Sequence, residues 1–262
     1  MTSGEELEAM RERAPLVHNI TNYVAMNVAA NVLLAAGASP AMVHAEEEAA
    51  DFARIAGALT INIGTLSAPW VASMEAAARA ANDVRVPWVL DPVAVGVTAF
   101  RTQTAASLLE LAPTVVRGNA SEILALAGLG GAGRGVDAGD TVAAAESAAH
   151  ALAQRTGGVV AVTGSVDYVT DGETSVRIAN GHTIMPRVTA LGCALTCLVG
   201  AFLAGARSPL RATSAALTYY GVAGERAAAK AEGPGTFATH FLDALAEIDG
   251  KALNAAARMA DA

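Results

Sequence analysis

A chain of 262 residues, 53% of them hydrophobic and many of those alanine, is long enough to bury a large core. No Pro/Ser-rich or charged linker divides it, so one domain over 1–262 is expected. A formal net charge of −8 opposes attraction to nucleic acid or anionic lipid, and an aromatic content of 4% disfavours a base-stacking platform.

The polar, charged residues 1–15 lack the apolar stretch of a secretory signal, which points to a cytoplasmic protein. From Tyr23 to Ala36 apolar residues recur at helical spacing, and Gly37 supplies a stop. The runs Leu59 to Ile63, Trp88 to Leu90, Thr114 to Val116 and Val159 to Val162 read as strands. Between them Ala68 to Asn82, Thr102 to Leu111, Glu122 to Ala127 and Thr141 to Arg155 read as helices. This alternation predicts an α/β fold with a mostly parallel central sheet covered by helices.

The stretch Gly128 to Gly139 lacks the Gly-Lys-Ser/Thr ending of a phosphate loop and reads as an ordinary connection. Asp167 to Ile178 reads as a β-hairpin turning at Asp171-Gly172. Ala194 to Ala204, Pro209 to Ala231 and Phe237 to Ala246 predict an all-helical C-terminal part. Gly and Arg break the apolar runs before they span hydrocarbon, so no membrane segment is expected. Cys193 and Cys197 share a helix face, and without a CxxC or His companion they make a poor disulfide or zinc case.

In open α/β sheets ligands bind beyond the carboxyl ends of the strands. The residues that follow the apolar runs here are consistently polar or turn-forming: Gly64-Thr65, Asp91-Pro92, Arg117-Gly118-Asn119 and Thr163-Gly164. Each alone is an ordinary turn former, and the four together mark a site. Asp91 and Glu122 are hard oxygen donors suited to Mg²⁺ near phosphates. Asn119 and Glu122 also have the spacing of a helix cap, and the two roles coexist.

The turn Val188 to Ala194 feeds an apolar helix, whose N-terminal N–H groups suit a phosphate. Ala190, Leu191, Gly192 and Cys193 are therefore the candidate anion hole. The same field would favour the thiolate of Cys193, beside an acceptor hydroxyl, while Cys197 reads as a buried small residue.

Asp91-Pro92-Val93, Asn119-Ala120-Ser121-Glu122 and Thr189-Ala190-Leu191-Gly192-Cys193 resemble the ribokinase-like superfamily. Within it, Val17 to Asn22, Ser39 to Met42, Ala58 to Leu66, Arg117-Gly118-Asn119 and Glu232 to Gly235 resemble the hydroxyethylthiazole kinase family, with similarity from about residue 14 to about 246. The resemblance implies a three-layer α/β/α sandwich that uses ATP and Mg²⁺ to phosphorylate the alcohol of 4-methyl-5-(2-hydroxyethyl)thiazole in thiamine salvage. It also implies a homotrimer with active sites between subunits.

By motif matching, Arg117 and Thr163 would contact ATP, and Asp91 and Glu122 would serve the metal. Met42 would line the thiazole pocket, with Asn22 and Gly64 nearby, and the acceptor hydroxyl would lie near Ala190 to Cys193. Cys193 is characteristic of thiazole kinases, where most of the superfamily carries Asp as general base. Ala190 stands where the family usually has Gly, and Leu191 where it often has a smaller residue. The alternatives are a kinase of hydroxymethylpyrimidine or pyridoxal-like alcohols, an ATP-using hydrate dehydratase, and a catalytically silent thiazole- or nucleotide-binding trimer.

Overall fold

The computed structural model describes residues 1–128 and 142–262; most of the Gly-rich connection lies outside them. In chain order the elements begin α1 (Ser3–Arg13), β1 (Leu16–Ile20), α2 (Met26–Ala36), β2 (Ser39–Met42), α3 (Ala49–Ile55), β3 (Ala58–Asn62), α4 (Ala68–Asp83) and β4 (Trp88–Asp91). They continue α5 (Ala99–Leu109), β5 (Val115–Asn119), α6 (Ala120–Leu126), α7 (Val142–Thr156), β6 (Val159–Thr163), β7 (Asp167–Thr170) and β8 (Ser175–Ile178). A short 3₁₀ turn at Met185–Arg187 leads into α8 (Leu191–Leu203), α9 (Pro209–Lys230), α10 (Pro234–Glu247), α11 (Gly250–Ala256) and β9 (Met259–Asp261).

The strands form one sheet in the order β2-β1-β3-β4-β5-β6-β7-β8-β9. Pairing is parallel from β2 to β6 and antiparallel from β6 to β9. Alternation along each strand divides the core. Val89, Val115, Val159 and Ala161 face the cluster built with α1, α2 and α8 to α11. Trp88, Leu90, Val116, Val160 and Val162 face the cluster built with α3 to α7. Both faces are covered, giving a three-layer α/β/α sandwich, and for that reason the central strands read as continuous apolar runs.

The four expected strands and the hairpin at Asp171-Gly172 are present, with ends shifted by one to three residues. Gly37 caps α2 in the left-handed region at φ 99°. The sequence reading did not assign α1, β1, β2 or α3. It also expected a wholly helical C-terminal part. In the structure β9 follows α11 and pairs antiparallel with β8, so the last segment covers the hairpin's outer edge.

One glycine sets how closely the layers approach. A Cβ on Gly200 of α8 would lie 2.6 Å from Thr60 Cγ2 on β3. Its absence lets α8, buried from Ala194 to Leu203, lie directly on the sheet with its N-terminus over the ends of β3 and β4.

Candidate active site

Register carries polar side chains to one edge. Asn62 at the end of β3 pairs with Asp91 at the end of β4, and Asn119 at the end of β5 pairs with Thr163 at the end of β6. Asp91 is fully buried. Its Oδ2 accepts from Asn62 Nδ2 at 2.7 Å and from Thr196 Oγ1 of α8 at 2.8 Å, and Arg117 Nη1 stands 3.8 Å away. Its Oδ1 is buried with no partner among the described residues. Burial pushes the Asp91 carboxyl up to about 6, aided by Glu122 and opposed by Arg117, Thr196 and Asn62.

Arg117 ties three elements together. From β5 its Nη2 donates to Thr163 Oγ1 on β6 at 2.7 Å, and its Nη1 donates to the Gly192 carbonyl of α8 at 3.1 Å. The side chain is 11% exposed, so the guanidinium is presented at the edge with its stem packed.

The turn before α8 faces this edge. Ala190 is the N-cap, in the left-handed region at φ 65°, and no side chain caps the helix. Tyr220 Oη donates to the Leu191 carbonyl at 2.8 Å and holds the turn from below. Cys193 Sγ accepts from Asn22 Nδ2 at 3.2 Å, and the same nitrogen lies 2.8 Å from Asn62 Oδ1. A continuous chain of hydrogen bonds therefore runs from the thiol through Asn22 and Asn62 to Asp91. The expectation of a favoured thiolate is corrected here. Burial raises the Cys193 thiol, the charge of Asp91 adds to this, and Asn22, Asn62 and Arg117 only partly offset them.

Gly64 belongs to the same corner. Its N–H donates to Asn62 Oδ1 at 2.9 Å, and a Cβ there would come within 2.8 Å of Asn22 Nδ2. Glu122 serves as a clamp: Oε2 accepts from Asn119 N at 2.9 Å in a capping box, and Oε1 accepts from Ala94 N at 3.0 Å. Its charge is nonetheless felt by Asp91. Met42 stands apart at the end of β2, with β1 between it and β3, half-buried against the cluster of α2 and α8.

Asn62, Thr196, Tyr220 and Asp167 were not singled out from sequence. Asn62 lies inside an apolar run, two residues before Gly64, where that strand's end was inspected. Thr196 sits three residues after Cys193 on the same helix face, a spacing that would have found it. Asp167, read only as a hairpin residue, accepts from Gly164 N at 2.9 Å. Burial lifts its carboxyl to about 6 against the opposing pull of Gly164 and Arg117.

The donor set suits magnesium in one respect. Mg²⁺ is usually held by one or two carboxylates with water and phosphate oxygens, and Asp91 Oδ1 is an unpartnered carboxylate oxygen at this edge. Among the described residues no group of three or more His, Cys, Asp or Glu gathers into a closed cage. None of the described helices is long and apolar enough to cross a membrane.

The model of the hydroxyethylthiazole kinase family matches residues 7–251. A hydroxyethylthiazole kinase of Rhizobium etli (strain CIAT 652) is 65% identical over 254 residues, covering 97% of this chain and 98% of that protein. One from Cereibacter sphaeroides (strain KD131) is 63% identical over 256 residues, covering 98% and 97%. The solved hydroxyethylthiazole kinase protein of Pyrococcus horikoshii OT3 superposes with a TM-score of 0.92 at 43% identity, covering 99% of this chain and 98% of that one. Pyridoxal kinase of Staphylococcus aureus, solved with ADP, shares the fold at a TM-score of 0.63 and 16% identity, covering 80% and 88%. By the family match over residues 7–251 and the identity and coverage of these relatives, the chain belongs to the hydroxyethylthiazole kinase family.

Proposed function

We propose that the protein transfers the terminal phosphoryl group of ATP to the primary alcohol of 4-methyl-5-(2-hydroxyethyl)thiazole, releasing ADP, in thiamine salvage. The observation that carries this reading is the pairing of Asp91, one oxygen buried and unpartnered, with the uncapped N-terminal turn of α8 to which Arg117 is bonded. A site that handles a migrating phosphoryl group needs a metal-binding carboxylate and preorganised donors.

In this reading Arg117 and Thr163 hold the ATP phosphates, and the first-turn N–H groups at Leu191, Gly192 and Cys193 receive charge that develops on the transferred group. Mg²⁺, when bound through Asp91 and, by way of its water shell, Glu122, would neutralise phosphate charge. The alcohol oxygen attacks the γ-phosphorus in line, the bond to the bridging oxygen breaks, and ADP leaves. Cys193, held as a thiol, orients the hydroxyl as a hydrogen-bond partner, and the hydroxyl proton passes late in the step to an oxygen of the transferred phosphoryl group. Asn22 and Gly64 shape the corner next to the thiol, and Met42 lines the thiazole pocket. Ala190, as N-cap, fixes the aim of the turn.

Residues 1–262 act as one kinase domain, and a cytoplasmic homotrimer with sites between subunits follows from the resemblance. The test is ADP release by purified protein with the thiazole alcohol, with and without Mg²⁺, beside hydroxymethylpyrimidine and pyridoxal, with light scattering for mass. Turnover confined to the thiazole alcohol and dependent on Mg²⁺ is expected. Faster turnover of another alcohol reverses the substrate assignment, and binding of thiazole without ADP formation identifies a silent binder.

A further inference from the structure

Three donors face the Asp91 carboxylate, and all three approach the same oxygen. Thr196 Oγ1 of α8 lies 2.8 Å from Oδ2, Asn62 Nδ2 lies 2.7 Å from it, and Arg117 Nη1 stands 3.8 Å away, while Oδ1 is buried and bare. Asn62 is fixed in one orientation. Its Oδ1 accepts from Gly64 N at 2.9 Å and from Asn22 Nδ2 at 2.8 Å, so its amide N–H is what Asp91 meets. Thr196 has an alternative partner. Inside a helix a threonine hydroxyl commonly bonds the carbonyl four residues back. Thr156 does so to Leu152 at 2.9 Å, and Thr218 to Ser214 at 2.8 Å. For Thr196 that carbonyl is Gly192, which receives the helical N–H and, at 3.1 Å, Arg117 Nη1. With both lone pairs of Gly192 taken, the fully buried hydroxyl is given to Asp91.

A carboxylate turns about its Cβ–Cγ bond unless its oxygens are held, and metal sites depend on partners that orient their ligands. From Ala194 to Leu203 the helix is otherwise built of Ala, Leu, Cys, Val, Gly and Phe, where a buried hydroxyl is costly unless it is bonded. We propose that Thr196 is a positioning residue for the phosphoryl transfer of the preceding section, on which this role rests: with Asn62 it holds Asp91 by Oδ2, so that Oδ1 is the oxygen offered to a divalent cation. The bond from Arg117 to Gly192 ties that aim to the side chain that holds the ATP phosphates.

The test compares the full chain with Thr196→Val, which replaces the hydroxyl by a methyl of similar shape, and with Thr196→Ser, which keeps it. Mn²⁺, which shares the oxygen preference of Mg²⁺, is titrated into each protein at saturating ADP and followed by the relaxation of water protons, which separates enzyme-bound ion from Mn²⁺–ADP. Binding about tenfold weaker in Thr196→Val and within about twofold of wild type in Thr196→Ser is expected. In turnover the Mg²⁺ concentration for half-maximal rate rises by a similar factor in Thr196→Val, while KM for the thiazole alcohol is unchanged. Thermal melts establish folding, and Thr196→Ala takes the place of Thr196→Val if the latter does not fold. Unchanged Mn²⁺ affinity in Thr196→Val beside a lowered melting temperature marks a merely structural hydroxyl and overturns the proposal, as does binding in Thr196→Ser as weak as in Thr196→Val; either leaves the kinase reading standing. Failure of wild type itself to bind Mn²⁺ beside ADP overturns both.

Discussion

Asp91 and Glu122 approach one sheet edge from the end of β4 and the start of α6, and they are held in opposite ways. Asp91 crowds its protein donors onto one oxygen and leaves the other buried and bare. Glu122 gives each oxygen a backbone N–H. The first arrangement holds a carboxylate where it is uncomfortable, as functional sites do. The second closes a helix end. Sequence distance from a strand end does not distinguish the two, and hydrogen-bond accounting does.

The sharpest way to break the contrast is Asp91→Asn. The amide oxygen still accepts from Asn62 and Thr196, while the charge is lost, so kcat should fall about 10²–10³-fold. Stability should move the other way. The Asp91 carboxyl titrates near 6 in the fold against an ordinary value of 3.8, so the folded state holds its proton where the unfolded chain has released it. Its contribution is present below about pH 4 and is lost as pH rises through about 6. The melting temperature of Asp91→Asn should therefore match wild type near pH 3 and exceed it at pH 7. Wild-type kcat/KM should drop as pH falls below about 6. A variant less stable than wild type at pH 7 would refute the assignment of strain to Asp91.

Glu122→Gln sharpens the other side. Glutamine keeps the capping box with its one oxygen but turns its NH2 toward the Ala94 N–H, so stability should fall by about 1–2 kcal/mol, while loss of the charge beside Asp91 costs about tenfold in activity. A loss as large as that of Asp91→Asn would make Glu122 a direct metal ligand. Cys193→Ser should lose less than about tenfold in kcat, because a general base is worth ~10²–10⁴-fold and a positioning thiol is not. The smallest effect is expected of Ala190→Gly. Relief of a left-handed alanine should add about 1 kcal/mol, read as a melting temperature higher by about 2–4 °C.

The central strands were legible because burial on both faces makes them uninterrupted apolar runs, and the site was legible because the polar residues lie where those runs stop. The missed elements have physical reasons. In α1 the buried Leu7 and Met10 are three apart within a charged stretch, and their partners lie far along the chain in α9 and α11. Strands β1 and β2 carry His18, Asn19 and Pro40, residues that weaken a strand reading. With three residues β9 has no local signal and exists only through its pairing with β8. For Cys193 the helix end was visible and the burial was not, so the sign of its shift came out reversed.

Because Gly200 lets α8 rest on β3 and Thr196 fastens it to Asp91, the spacing between the turn that opens α8 and the carboxylate is set by the core, before any ligand arrives. Met42, hung from an outer strand, belongs to neither fastening. On the function proposed above, the scaffold fixes the part that handles the phosphoryl group and leaves Met42's side of the alcohol pocket outside it.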